Sequence, residues 1–173
     1  MALSRTTPNL LAVGVTIELA VLGLEGTTVR PVTREDIEPL PGAEAALTAL
    51  RAEGVRICLT TDRTRQDLWY VLDVLGWRDL VDLALSPEDE LRGRPRPDLV
   101  LWALIRLGVE SVRHVAVVGD TVADLEAGTR AGASIVAGVL TGAHSKEQLQ
   151  AAPHTHLLHG IDELPGVIAR ARH

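Results

Sequence analysis

The sequence predicts an α/β fold in which a parallel sheet of about five to six strands has helices on both faces. Short apolar runs alternate with amphipathic segments, as where residues 115–118 precede a helical pattern that ends at Gly132. These runs are apolar throughout, which is typical of strands buried on both faces. A length of 173 residues suits one domain with a sizeable core. We therefore expect a tail at residues 1–16 and a single domain at residues 17–173.

Turn and cap residues set the expected bounds of these elements. Strands are predicted at residues 17–22, 55–59, 80–85, 115–118, 135–140 and 156–158. Helices are predicted at residues 43–53, 65–76, 97 or 98 to 107, 122–131, 146–151 and 161–170. The segment of residues 29–41 contains three prolines, so it is predicted to be a connector with at most one helical turn.

Composition narrows the classes of partner. A formal net charge of −6 argues against nucleic acid or an anionic membrane as the main partner. No apolar run approaches the roughly 18 residues that span a bilayer. The first nine residues lack the order of charges and apolar residues typical of a signal peptide, so a cytoplasmic protein is expected. Cys58 lies in an apolar run and is expected to be a small buried side chain.

Two acidic residues stand where the strand at residues 115–118 gives way to a helix. Asp120 follows the strand and Asp124 lies one helical turn further on. Ligands of open parallel sheets bind at the carboxyl ends of the strands, and paired carboxylates suit Mg²⁺. The alternative is structural: Asp120 would cap the helix and Asp124 would occupy its first turn.

The complete string, Gly-Asp-Thr-x-x-Asp-x-x-x-Gly-x-x-Ala-Gly, resembles the last motif of the haloacid dehalogenase (HAD) superfamily. The resemblance implies a Rossmann-like core and a Mg²⁺-dependent reaction through an aspartyl-phosphate. It implies that Thr61 hydrogen-bonds a phosphoryl group, that Arg94 offsets the negative charge, and that Asp120 and Asp124 bind the metal. The subgroup that the chain most resembles is the phosphonatase-like hydrolases. The strings that carry this likeness are residues 26–29, 60–61, 93–95, 119–121 and 139–144.

The first motif departs from the family pattern. The family has Asp-x-x-Gly-Thr-Thr, with the aspartate as nucleophile and metal ligand, whereas this chain has Gly23 at that position. Gly23 cannot form an aspartyl-phosphate. Thr27, within the retained Gly-Thr-Thr, is assigned to phosphate binding by the resemblance. Glu25 falls where many family phosphatases have a general acid; it could bind a cation or move a proton, or be a solvated loop residue.

A second departure concerns the cap. Phosphonatase-like proteins carry a helical cap after the first motif, with a lysine that forms a Schiff base with the substrate. Residues 29–41 are too short for such a cap, and Lys146, the only lysine, lies elsewhere in the chain. Cleavage of a carbon–phosphorus bond through an imine is therefore not expected. A site without a cap is open to water. Capless relatives often cover the site with a neighbouring subunit or accept large substrates, so the resemblance implies a homo-oligomer that covers the site or, alternatively, a large substrate.

Some other polar residues have both a functional and a structural interpretation. Asp62 would weaken anion binding next to Thr61, but could act as a base or cap the following helix. Arg92 and Arg96 lack the motif spacing and are expected to be solvated. The histidines lack a metal-binding spacing, and only His144 is expected to border the site.

The sequence predicts a HAD-type, hydrolase-like protein with a degenerate site that binds a small anionic or phosphorylated ligand. Non-covalent acid–base chemistry would then rest on Glu25, Asp62 and Asp120, with Thr61 and Arg94 holding the anion. One alternative is a catalytically dead protein that acts as a binding partner or scaffold. Another is a residual Mg²⁺-dependent phosphohydrolase. An engineered glycine at position 23 is disfavoured, because the cap is missing as well.

Overall fold

The computed structural model describes residues 14–31 and 36–173, and within them six parallel strands form one sheet. The strands are β1 (Leu19–Gly23), β2 (Arg56–Thr60), β3 (Leu83–Leu85), β4 (Val115–Gly119), β5 (Ile135–Val139) and β6 (His156–Leu158), in the order β3-β2-β1-β4-β5-β6. Helices are α1 (Ala43–Ala52), α2 (Arg65–Leu75), α3 (Asp98–Arg106), α4 (Val122–Ala131), α5 (Lys146–Gln150) and α6 (Leu164–Ala171). The predicted fold class is confirmed.

Alternation along β1 divides the core between the two faces of the sheet. Ala20 and Leu22 belong to a buried cluster with α1, α2 and α6. Leu19 and Val21 belong to a second cluster with α3 on the opposite face, where α4 also packs. Burying an aliphatic side chain of this size contributes roughly 1.5–3 kcal/mol, so both layers stabilise the sheet substantially. Cys58 is buried in the second cluster, as expected.

Strand β3 is shorter than the predicted segment of residues 80–85. Asp82 explains the difference, because its side chain replaces a strand contact: Oδ2 accepts a hydrogen bond from the backbone N–H of Ile57 at 2.7 Å. Its Oδ1 accepts a hydrogen bond from Arg51 Nη1 at 2.8 Å. The ladder with β2 therefore begins only at Leu83.

The predicted C-terminal helix differs in detail from the prediction. It begins with a 3₁₀ turn at Ile161–Glu163, and α6 follows from Leu164.

Parts of the predicted tail and connector lie outside the described residues. These are residues 1–13 of the tail and residues 32–35 of the connector. Within the described residues, no helix lies between β1 and α1, and none of the described helices is long and apolar enough to cross a membrane.

Candidate functional site

A cleft of about 350 Å³ opens at the carboxyl ends of the central strands. Loops after β1, β2, β4 and β5 line it, together with Arg94 from the loop before α3. The edge of a sheet where neighbouring parallel strands end is the usual ligand site of an open α/β fold. The cleft brings together five predicted site residues, which are Glu25, Thr61, Asp62, Arg94 and Asp120. Thr27 and Asp124 are buried next to it.

The loop after β1 is a tight turn held by its own backbone. Leu24 N–H donates to Thr60 O at 2.9 Å, which continues the pairing of β1 with β2. The Thr28 hydroxyl donates to the carbonyls of Gly23 and Leu24 at 3.1 and 3.0 Å. Gly26 has a φ of +76°, where a side chain is strained. These contacts fix the position of Gly23 relative to its neighbours.

Gly23 lies at the centre of the site with no side chain to offer. A β-carbon on this residue would lie 2.9 Å from Thr27 Oγ1 and 3.8 Å from Arg94 Nη1. Thr27 is 0% exposed, and its hydroxyl has no hydrogen-bond partner among the described residues. The position that the resemblance assigns to the nucleophile is therefore bordered by a buried hydroxyl and a guanidinium group.

Asp120 is the most buried of the acids that line the cleft, at 5% exposure. Its Oδ2 accepts a hydrogen bond from Ala143 N–H at 2.8 Å. A β-carbon on Gly26 or on Gly142 would overlap this carboxyl group, so both glycines are needed for its close packing. Burial raises the pKa of Asp120, and the nearby charge of Asp124 adds to the rise.

Asp124 completes the start of α4 and is buried next to the cleft. The N-cap is Thr121, whose hydroxyl accepts from Asp124 N–H, while Asp124 Oδ2 accepts from Thr121 N–H at 3.0 Å. The interpretation of Asp120 as the helix cap is therefore wrong. Asp124 does occupy the first turn, as the alternative stated, and its Oδ1 also accepts from Arg94 Nη1.

Arg94 is the central cation of the site. Its side chain is 14% exposed and lies between Asp124 and Asp62, with Nη2 at 2.8 Å from Asp62 Oδ2. Burial lowers the pKa of Arg94, but the two ion pairs outweigh this effect and raise it. The guanidinium group is thus held charged at the base of the cleft, between two carboxylates.

Asp62 forms the outer member of this cluster. Its side chain is 70% exposed, and it does not cap α2. The N-cap of that helix is Thr64, whose hydroxyl accepts from Asp67 N–H at 3.1 Å. The capping interpretation of Asp62 is therefore wrong, and its contact is with Arg94.

Glu25 and Thr61 meet at Arg63, a residue that the sequence did not single out. Glu25 forms an ion pair with Arg63 and is partly buried, so it differs from a fully solvated loop residue. Thr61 Oγ1 accepts from Arg63 N–H at 3.1 Å, which leaves the hydroxyl proton able to donate to a ligand. Arg63 directly follows the Thr61–Asp62 pair, but nothing in the spacing indicates its partner.

The loop after β5 closes the cleft from the other side. Thr141 Oγ1 donates to Gly26 O at 2.7 Å and so ties this loop to the loop after β1. His144 Nδ1 accepts from Val122 N–H at 3.0 Å, which satisfies one of the open donors of α4. The string at residues 139–144 marked this loop, but the sequence did not show that Ala143 N–H would hold Asp120.

The arrangement of these acids does not fit a resident Mg²⁺. Hydrolases of the superfamily generally use Mg²⁺, but Gly23 supplies no oxygen ligand from its side chain. Both oxygens of Asp124 accept hydrogen bonds from Arg94 or Thr121. The described part of the chain contains no group of three or more His, Cys, Asp or Glu residues placed to hold a metal. The Mg²⁺ site at Asp120 and Asp124 stays a prediction, and we assign no chemical step to a metal.

Comparison with known proteins agrees with this architecture. A family model described as haloacid dehalogenase-like hydrolase matches residues 9–132. The phosphonoacetaldehyde hydrolase of Bacteroides fragilis is 34% identical over 161 residues, covering 78% of this chain and 60% of that protein. The probable phosphatase IndB of Dickeya dadantii is 29% identical over 141 residues, with the same coverage of 78% and 60%. This chain thus spans about 60% of the length of both relatives.

Solved structures show the same fold. A phosphonoacetaldehyde hydrolase-like protein from Oleispira antarctica has a TM-score of 0.79 at 17% identity, covering 96% of each chain. A HAD family hydrolase from Deinococcus radiodurans, solved with bound phosphate and sodium, has a TM-score of 0.79 at 20% identity and covers 91% of this chain and 97% of its own. At these identities the likeness concerns the fold. The family match over residues 9–132 shows that the chain belongs to the haloacid dehalogenase superfamily.

Proposed function

We propose that the cleft binds a small phosphorylated or similarly anionic compound, and that any reaction there proceeds without an aspartyl-phosphate. The observation that carries the proposal is Gly23. It leaves the position of the nucleophile without a carboxylate, although the groups suited to binding an anion are still present in the cleft. Thr61 and Arg94 supply a hydroxyl and a charged guanidinium group in one cleft. Both groups are suited to oxyanions.

The charges around Arg94 set the conditions for anion binding. Asp62 and Asp124 compete with a ligand for the guanidinium group. Asp62 is the partner that a ligand can displace more readily, because it is largely exposed and its release into water costs little. Asp124 is held by Thr121 as well and keeps Arg94 in place. A ligand oxyanion would then replace Asp62 on Nη2.

Asp120 is the carboxyl group best placed for proton transfer. It borders the cleft, and among the described residues it forms no ion pair, whereas Glu25 is paired with Arg63 and Asp62 with Arg94. A buried carboxyl group with a raised pKa is typical of a general acid or base. In this proposal Glu25 and Asp62 act at the rim, where they orient the two arginines.

The reaction named for the Bacteroides fragilis relative is not part of the proposal. Lys146, the only lysine, is exposed at the first residue of α5 and does not line the cleft. Nothing in the structure therefore supports an imine between Lys146 and a substrate in the cleft. The proposed chemistry is confined to binding and to non-covalent proton transfer.

The test compares two arginines of one loop. Inorganic phosphate and simple phosphate monoesters are titrated calorimetrically into the protein in buffer that contains a chelator. Arg94→Gln should weaken binding about tenfold or more, as expected when a charged hydrogen bond is lost. Arg92→Gln is the matched control, because Arg92 pairs with Asp98 and does not line the cleft. Equal affinity of all three proteins would contradict the proposal.

A purely binding role is favoured by one observation, namely the pairing of Glu25, Asp62 and Asp124 with arginines. Turnover assays with phosphate esters separate the two roles. An enzyme should lose at least about a hundredfold in rate in Asp120→Asn, the usual contribution of a general acid or base. A binding protein should show no turnover above the uncatalysed rate in either form, while ligand binding persists.

A further inference from the structure

The gap at Gly23 is bordered by a buried hydroxyl group that lacks a hydrogen-bond partner. Thr27 Oγ1, the atom nearest to the missing β-carbon at 2.9 Å, has no partner among the described residues. Buried polar groups without partners are costly, at roughly 1–3 kcal/mol each, and therefore uncommon in folded proteins. The unpartnered Thr27 hydroxyl next to Gly23 therefore indicates a missing acceptor at that position.

A comparison of Thr27 with Thr28 shows that the missing hydrogen bond is a property of the gap at Gly23 and not of the whole loop. Thr27 and Thr28 are both 0% exposed. The Thr28 hydroxyl is satisfied by the carbonyls of Gly23 and Leu24. The Thr27 hydroxyl instead points to the space that a side chain at position 23 would occupy. In this turn the Thr28 hydroxyl is therefore hydrogen-bonded, whereas the Thr27 hydroxyl is not.

Two neighbours of the gap line the cleft. Leu24, which follows Gly23, and Arg94, whose Nη1 lies 3.8 Å from the missing β-carbon, both line the cleft. A small group attached to a ligand in the cleft can therefore extend into the gap. The group must be an acceptor, because a hydroxyl and a guanidinium group face it, and a planar carboxylate matches a guanidinium group in shape and charge.

We propose that the gap at Gly23 is a subsite for a carboxylate group of the ligand. The ligand would supply the acceptor that the chain lacks at position 23, and the compound bound in the cleft would be a small carboxylic acid. This inference rests on the proposed function, since it names the chemical class of the same anionic ligand. It also explains why the buried Thr27 hydroxyl is retained without an acceptor from the chain.

The experiment uses formate, the smallest carboxylate, as the probe. Carbon-13 formate is titrated into the full chain at pH 7 without metal, and binding is followed by NMR, with inorganic phosphate titrated in parallel. The unmodified chain should bind formate. Gly23→Ala and Thr27→Val should weaken formate binding about tenfold or more, since the first fills the gap and the second removes a donor. Phosphate binding, which depends on Thr61 and Arg94, should be unchanged in Gly23→Ala.

Stability measurements make the result independent of any folding defect in Gly23→Ala. Thr27→Val replaces an unsatisfied hydroxyl with a methyl group, so it should unfold at the same denaturant concentration as the unmodified chain or at a higher one. Thr28→Val removes a hydroxyl bonded to two carbonyls and should unfold at a lower concentration. If Thr27→Val destabilises the protein as Thr28→Val does, the Thr27 hydroxyl is satisfied and the inference is wrong.

The two probes separate this inference from the proposed function. If phosphate binds and formate does not, or if both variants bind formate normally, the carboxylate subsite is refuted and the anionic cleft stands. If neither probe binds to the unmodified chain, the proposed function fails together with the subsite.

Discussion

At the scale of single residues, Asp120 shows how the site is held in an unfavourable state. Its carboxyl group is packed between Gly26 and Gly142 and accepts one hydrogen bond from Ala143. Burial of a charge without a basic partner costs stability, and this cost appears as a raised pKa. Proteins keep such groups where their chemistry is needed. The free energy lost at Asp120 should therefore be recoverable by removing its charge.

Replacing Asp120 with asparagine should stabilise the protein at neutral pH. The folded protein binds the Asp120 proton more tightly than the unfolded chain does. Its contribution to stability is therefore complete below about pH 4, the ordinary pKa of aspartate, and is lost as the pH rises through the raised pKa. Asp120→Asn should raise Tm at pH 7 by about 2–4 °C, the shift that 1 kcal/mol produces in a chain of this size. The gain should shrink as the pH falls towards 4.

Thermal unfolding of both proteins at several pH values checks this prediction. A lower Tm for Asp120→Asn at pH 7 would mean that the charged form is favoured by the fold, and burial would not be its dominant influence. Glu110→Gln, at an exposed residue between α3 and β4, is a suitable control for the loss of one charge far from the cleft.

At the scale of elements, the loops after β1 and β5 meet around the end of β4. Thr141 is bonded to Gly26 O, and a β-carbon on Gly26 would overlap the Asp120 carboxyl group. The loops can approach so closely only because Gly26 and Gly142, which both pack against the Asp120 carboxyl group, have no side chains. The geometry of the cleft therefore depends on packing between loops as much as on the strands that carry them.

A comparison of Gly26 with Gly54, which have nearly the same backbone conformation, distinguishes the cost of steric overlap from the cost of backbone strain. Gly26 has a φ of +76° and Gly54 a φ of +79°, but nothing lies within 4 Å of a β-carbon on Gly54. Gly54→Ala should cost roughly 1–2 kcal/mol of unfolding free energy through backbone strain alone. Gly26→Ala should cost about 1–3 kcal/mol more through overlap with Asp120.

Denaturant unfolding measures both values. In the background of Asp120→Ala the extra cost of Gly26→Ala should shrink, because the overlapping carboxyl group is gone and the contact with the Gly142 backbone remains. Equal costs for the two glycines in the unmodified chain would show that Asp120 can move away freely.

The loop that carries Arg94 depends on an ion pair at its edge. Arg92 donates to Asp98 from Nε and from Nη2, each at 2.8 Å, so the loop is joined to the first residue of α3. This hydrogen bonding lowers the pKa of Asp98. The contribution to stability is therefore present above the ordinary pKa of aspartate and is lost as the pH falls through the lowered pKa. Asp98→Asn should destabilise the protein slightly at pH 7.

This difference should shrink as the pH falls below the ordinary pKa of aspartate and through the lowered pKa of Asp98, and chemical denaturation over a series of pH values below 7 measures it. Asp73→Asn provides a second exposed pair for comparison, because the pKa of Asp73 is likewise lowered by a hydrogen bond with Arg78. A difference for Asp98→Asn that does not change over the whole series would show that the loop does not depend on the charge of Asp98.

At the scale of the whole molecule, the sequence predicted the sheet well and the contacts of the cleft only in part. Four apolar runs specify the central strands β1, β2, β4 and β5, because burial on both faces leaves little choice of structure, whereas the edge strands β3 and β6 are only partly buried. The ion pairs of Arg63 and Arg94 join loops that are distant in sequence, and spacing does not reveal them. Asp62 and Thr64 are both good N-cap residues, and only the backbone conformation at Thr64 decides between them.

The expected homo-oligomer also belongs to this scale. The cleft is open in the single chain, and a neighbouring copy placed over it would exclude water. Sedimentation velocity at several concentrations should show a species larger than one 18.5 kDa chain. A single species of monomer mass at every concentration would contradict the expectation.

The most direct test of the account is calorimetry of phosphate binding with Mg²⁺ and with a chelator, on this chain and on Gly23→Asp. The added aspartate would stand next to Thr27 and Arg94 and supply the carboxylate that the family motif contains. We predict that the unmodified chain binds phosphate equally well under both conditions, and that Gly23→Asp binds it more tightly when Mg²⁺ is present. Phosphate binding by the unmodified chain only in the presence of Mg²⁺ would contradict the account, because Asp120 and Asp124 would then hold a metal without a ligand from residue 23.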